Sequence, residues 1–111
     1  MRLRVGVIVN PIAGVGGPAA LKGSDDVAIQ RIAAARGVTP MAGTRMRLAL
    51  QGLTTPELRS QLRFVTWGGP MGAEALAGLD FDVRVLGTPD SPSTGRDTRA
   101  AARAILAYGI D

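Results

Sequence analysis

Three stretches of this chain carry residues of the types and spacing that could hold an anion. The first is Asn10-Pro11-Ile12-Ala13-Gly14-Val15-Gly16-Gly17, which follows the apolar run from Val5 to Val9. Proline lacks an amide hydrogen and ends a strand ladder. The glycines let the backbone turn sharply and bring bare amide groups to an approaching ligand. Open α/β sheets bind ligands where such loops leave the carboxyl ends of strands. Asn10, Pro11, Gly14, Gly16 and Gly17 therefore read as half of a phosphate-binding site, with a purely structural loop as the alternative. The second stretch is Thr94-Gly95-Arg96-Asp97-Thr98, at the start of a helix. Amides and hydroxyls of Thr94, Asp97 and Thr98 could hold an anion against the helix dipole. The same pattern is a capping box, which accounts for Thr94 and Asp97 by itself; a cap and a ligand site can coexist. The third, Gly68-Gly69-Pro70-Met71-Gly72, reads as a tight strand-to-helix connection before it reads as a ligand-facing turn.

The common nucleotide fingerprints fit poorly. Gly14-Val15-Gly16-Gly17-Pro18-Ala19 has a loose G-x-G-x-x-A form, but the next helix starts only near Asp26, and no acidic residue ends the second strand to hold a ribose. No Gly-Lys-Ser/Thr occurs, which removes a Walker A loop. Lys22 could reach a phosphate and reads better as a solvated loop lysine. Asp80 and Asp82 read as solvated turn acids and not as an acid/base pair.

These residues need a scaffold, and the composition supplies one. At 111 residues, 46% of them apolar, the chain is one domain or part of one. Aromatics are few, so Val, Ile, Leu and Met must build the core. The net charge of +4 is carried by arginine, with Lys22 the only lysine. The arginines are scattered without interleaved aromatics, so no nucleic-acid partner is expected; a surface attractive to anionic nucleotides fits. There is no cysteine and no histidine, which excludes disulfides, thiol chemistry, His-based zinc sites and Ser-His-Asp triads. The lack of cysteine fits the cytoplasm. No apolar run approaches the ~20 residues a membrane span requires, and no membrane partner is expected.

The pattern alternates strands and helices. Residues 3–9 read as a buried strand, central in a parallel sheet. A glycine loop over 10–24 leads to a helix from about Asp26 to Arg36, with Ser24 as its N-cap. A second helix covers about Thr44–Gln51, with Met46, Ala49, Leu50 and Leu53 as a buried stripe. Thr55-Pro56-Glu57 caps a short turn of helix to about Leu62. Phe64–Trp67 is the second strand, Met71–Ala77 a short helix, and Val83–Leu86 the third strand. The last helix runs from Gly95 to Tyr108, with Thr98, Ala101, Ala102, Ile105 and Tyr108 on its apolar side and Gly109 closing it. The fold class expected is α/β, a three-layer arrangement around a parallel sheet. A further strand is expected directly after Gly109. Without it the domain is incomplete and exposes a sheet edge through which the chain could self-associate.

Taken together, four pieces resemble the ATP-NAD kinase family, in particular its AcoX-like branch: Asn10–Gly17 after the first strand; Leu21-Lys22-Gly23-Ser24-Asp25; Gly69-Pro70-Met71-Gly72; and Thr94-Gly95-Arg96-Asp97-Thr98-Arg99-Ala100-Ala101. Their order and spacing match along nearly the whole chain. The resemblance implies the N-terminal portion of an NAD kinase/diacylglycerol kinase-like domain, which meets a β-rich C-terminal domain with nucleotide sites in the cleft between. The implied parent reaction moves a phosphoryl group from ATP, with Mg²⁺, to NAD, giving NADP. Asn10, the Gly14–Gly17 backbone and Thr94 are then the residues nearest the ATP phosphates.

The family's Gly-Gly-Asp-Gly signature, with its catalytic and metal-site aspartate, follows the strand expected after the last helix and is absent from the sequence. The segment spanning 1–111 is therefore expected to be inactive alone, with no catalytic or metal residue of its own. Two alternatives stand beside this reading: a non-catalytic nucleotide- or phosphate-binding α/β module, and a truncated product without a function of its own. A lipid kinase role is a further one that no residue here favours.

Overall fold

The computed structural model describes residues 2–12, 41–90 and 93–111. Their elements run β1 (Leu3–Val7), α1 (Ala42–Gln51), α2 (Pro56–Gln61), β2 (Leu62–Thr66), a 3₁₀ turn (Gly69–Met71), α3 (Ala73–Leu76), β3 (Asp82–Val85) and α4 (Gly95–Tyr108). The three strands form one parallel sheet in the order β1-β2-β3. Val5 lies beside Phe64, which lies beside Val83; Val7 lies beside Thr66, which lies beside Val85. The chain is thus a small α/β domain whose three-stranded parallel sheet is flanked by helices.

Alternation along the strands gives the sheet two faces. One carries Val7, Phe64 and Val83 and packs with Val9, Leu50, Ala75, Leu76 and Leu79 into the main core. There Phe64 and Phe81 meet edge to face at 4.8 Å between centroids, a geometry the ring quadrupoles favour. The other face carries Gly6 and Val65 and receives α4. A Cβ at Gly6 would stand 2.9 Å from Ile105 Cγ2, so the missing side chain is what lets the helix approach. Ala101 and Ile105 of α4 are buried against this face.

Local chemistry explains where several elements begin and end. Thr55 accepts a hydrogen bond from the Leu58 amide, and Pro56 occupies the first turn of α2. Thr94 and Asp97 cap α4 reciprocally, and Gly109, at φ 94°, closes it with its amide donating to the Ile105 carbonyl. The bounds of α4 agree with those expected from sequence.

Other expectations are corrected. Among the described strands β2 is central and β1 lies at the edge, with Leu3 56% and Val5 37% exposed. The apolar run marks a strand, but lateral order is set by pairing between distant segments, which the run does not encode. α1 starts at Ala42 and not near Thr44; Leu50 is its buried residue, while Ala49 and Leu53 are exposed. Thr98 is exposed and lies off the buried side of α4. Asp82 is a β3 residue and not a solvated turn acid: its Oδ2 accepts from Arg63 Nε at 2.6 Å and from Arg2 at 2.7 Å. The helix expected over 26–36 lies outside the described residues.

Residues 110 and 111 run beside β1. The Asp111 amide donates to the Arg4 carbonyl at 3.0 Å, and the Arg4 amide donates to Asp111 Oδ2 at 2.8 Å. No helix among the described residues is long and apolar enough to cross a membrane.

Candidate functional site

The loops that leave the carboxyl ends of the three strands are tied to one another before they meet any ligand. Beyond β1, the Val9 amide donates to the Met71 carbonyl at 2.9 Å. The buried Thr66 hydroxyl, at the end of β2, donates to the Val7 carbonyl at 2.7 Å. Gly72 adopts φ 155°, and a Cβ there would collide with the Thr66 hydroxyl. Only glycine combines that backbone with that contact. Beyond β3, the Gly87 carbonyl accepts from the Gly68 amide at 2.7 Å, and the Trp67 indole packs so closely on Gly87 that a Cβ would strike the ring.

Between these loops lies a cleft of about 630 Å³, within the range of small-molecule sites. Pro11 and Ile12 line it from the end of β1, and Gly69 and Pro70 from the end of β2. Thr88, Pro89, Asp90 and Ser93 line it from the end of β3. Thr44 and Arg47 of α1 and Glu74 and Ala75 of α3 close one side.

Of the residues singled out from sequence, Pro11 lines the cleft. Asn10 stands next to it, with its side-chain oxygen accepting from the Ile12 amide at 3.2 Å, an Asx turn that shapes the entrance. Gly14, Gly16 and Gly17 lie outside the described residues. Thr94 follows the lining residue Ser93, and its hydroxyl accepts from the Arg96 amide at 3.2 Å. Asp97 is buried. Its two oxygens accept from the amides of Asp90, at 3.0 Å, and Thr94, at 2.8 Å. Those amides, Asp90 first, hold the carboxyl below the usual carboxylate range. The anion at the start of α4 is therefore the protein's own, and its described role is to fasten the 88–90 wall to the helix. Gly69 and Pro70 build the tight turn and also line the cleft.

Arg47, Glu74 and Asp90 are lining residues that sequence reading missed. Arg47 is the charged group one would assign to a phosphate, yet its guanidinium donates to the carbonyls of Glu74, Ala75 and Ala77. It caps the end of α3, where a cation suits the helix dipole, and presents its stem to the cleft. Its place one turn after Thr44 was the available signal; Glu74 and Asp90 had none, because no local spacing connects them. Among the described residues neither carboxylate has a partner, and no group of three or more acids could hold a metal ion.

The described walls combine the apolar surfaces of Ile12, Pro70, Pro89 and Ala75 with the hydroxyl-bearing Thr44, Thr88 and Ser93. The three bonds of Arg47 all run from Nη1. Compared with known proteins, the chain matches no family model, no curated protein and no solved structure.

Proposed function

We propose that this chain is the N-terminal α/β segment of an ATP-NAD kinase-like phosphotransferase, whose parent transfers phosphate from ATP to NAD to give NADP, and that the cleft is part of its nucleotide site. One observation carries the reading. Loops bearing three of the four family-like motifs, at Pro11, at Gly69-Pro70 and at Ser93 before Thr94, leave three adjacent parallel strands on the same edge and line one cleft. Ligands of open α/β sheets bind at that edge.

The test is a thermal-shift series with ATP, NAD, NADP and pyrophosphate. A ligand that binds only the folded state stabilises it by about 2.7 kcal/mol at one hundred times its Kd, so at least one of the four raises the melting temperature. An unchanged melting temperature with all four sinks the proposal. Phosphoryl transfer further requires metal-assisted charge neutralisation and a placed hydroxyl, and the sequence lacks the Gly-Gly-Asp-Gly acid. The chain mixed with NAD, ATP and Mg²⁺ forms no NADP; NADP production above a protein-free control would overturn that expectation.

A further inference from the structure

We infer that the protein carries an anion site separate from the cleft, at the amino end of the sheet, where Arg2, Arg4 and Arg63 take a phosphate group. The inference does not depend on the nucleotide reading of the cleft. It starts from a breach of good strand pairing. In the parallel register Arg4 of β1 stands directly beside Arg63 of β2, and Arg63 beside Asp82 of β3. Side-chain alternation puts all three on the face that receives α4, with neighbouring strands about 5 Å apart. Like charges directly opposite each other oppose pairing. The nearby acids offset only part of that repulsion. Asp82 is shared by Arg63 and Arg2, and Asp111 pairs with Arg4, so three guanidinium groups divide two carboxylates. Tyr108 registers the excess: its phenol accepts from Arg63 Nη1 at 3.3 Å and is pulled below its usual pKa, by Arg63 first and then by Arg84. The three arginines and Asp111 line a recess of about 290 Å³, just below the ~300–1,000 Å³ of drug-sized sites, which is room for a phosphate group. Its donors are placed in advance. Arg63 is held at Nε by Asp82, at 2.6 Å, and at Nη1 by Tyr108. Arg2 is held at Nη1 by Asp82, at 2.7 Å, and Arg4 at Nε by Asp111, at 3.5 Å. Among the described residues the Nη2 groups of all three have no hydrogen-bond partner, which leaves each arginine with donors to spare. Guanidinium donors match phosphate oxygens in shape and charge, and side chains already fixed lose little freedom on binding.

The test titrates the native chain with pyrophosphate, ATP and adenosine and follows the arginine Nε–H signals by nitrogen-15 NMR, which reports each guanidinium separately. Pyrophosphate shifts the signals of Arg2, Arg4 and Arg63 saturably, added salt weakens the binding, and adenosine leaves the three signals where they are. In the R2Q/R4Q variant, which keeps the bonds of Arg63 to Asp82 and Tyr108, pyrophosphate binds about tenfold more weakly; far-ultraviolet circular dichroism checks the variant's fold. A shift with ATP as well as pyrophosphate supports the site and assigns it a nucleotide's phosphate, and a shift with pyrophosphate alone supports it and assigns a free anion. Arginine signals that move with neither phosphate overturn the inference, and so does a folded R2Q/R4Q variant that binds pyrophosphate as the native chain does. The same spectra keep the two sites apart. Amide signals of Thr44, Thr88 and Ser93 that move while the arginine signals stay fixed retain the cleft and remove this site alone; the reverse pattern supports this site and counts against the cleft.

Discussion

Thr66 shows how much one side chain can decide. It is fully buried, its hydroxyl donates to the Val7 carbonyl, and its surface leaves no room for a Cβ on Gly72. Thr66→Val keeps the shape and leaves that carbonyl unsatisfied, which costs about 1–3 kcal/mol; the urea midpoint falls accordingly. Gly72→Ala loses more, because it adds a collision to a left-handed backbone. A Gly72→Ala midpoint equal to the native one would contradict the contact. The acids give a pH dependence. Asp82, beside Arg63 and then Arg2, Asp97, beneath the Asp90 and Thr94 amides, and Asp111, beside the Arg4 amide, all have depressed pKa values. A group whose folded pKa lies below its unfolded value, about 3.9 for aspartate, contributes stability above that value. The contribution is lost as pH falls through the folded pKa. Urea midpoints are therefore flat from pH 7 to 5 and fall below pH 4, and the D97N variant falls less steeply there than the native chain.

α4 is the element that the sequence describes best, and the reason is that its ends are local. The capping bonds of Thr94, Asp97 and Gly109 each fall within four residues, so their spacing is readable without knowing the fold. Thr94→Ala removes the cap and costs about 1 kcal/mol, seen as a lower urea midpoint with the m-value unchanged. Ile105→Ala empties the space above Gly6 and costs about 2–5 kcal/mol; a loss below 1 kcal/mol would mean that α4 does not pack there. α1 was read less well, since Met41 precedes it without a side-chain cap bond and no residue announces its start. The turn after β2 was legible as a turn from its glycines. That Gly69 and Pro70 would also face a cleft depended on the neighbouring loops.

At the scale of the whole molecule, the alternation of strands and helices was enough to give a parallel sheet with helices beside it, and the loop after β1 pointed to the carboxyl edge, where the cleft lies. Lateral strand order was not legible, and neither were Arg47, Glu74 and Asp90. These arise from segments that meet only in three dimensions, and no local period records them. The edge position of β1 has its own consequence. Asp111 occupies both backbone groups of Arg4, by its amide and its carboxylate, as residues that guard sheet edges do. Asp111→Ala frees the Arg4 amide, so sedimentation velocity across a concentration series shows more self-association in the variant than in the native chain. Equal behaviour of the two would count against a guarding role.

The stacking of Trp67 on Gly87 reaches further than packing. Trp67 is the chain's single tryptophan, its indole nitrogen is buried and, among the described residues, has no hydrogen-bond partner, and the residue after Gly87 begins the wall formed by Thr88, Pro89 and Asp90. Any molecule that displaces that wall alters the polarity around the ring. The intrinsic emission colour of the unlabelled native chain is thus a built-in gauge of whether that wall has moved.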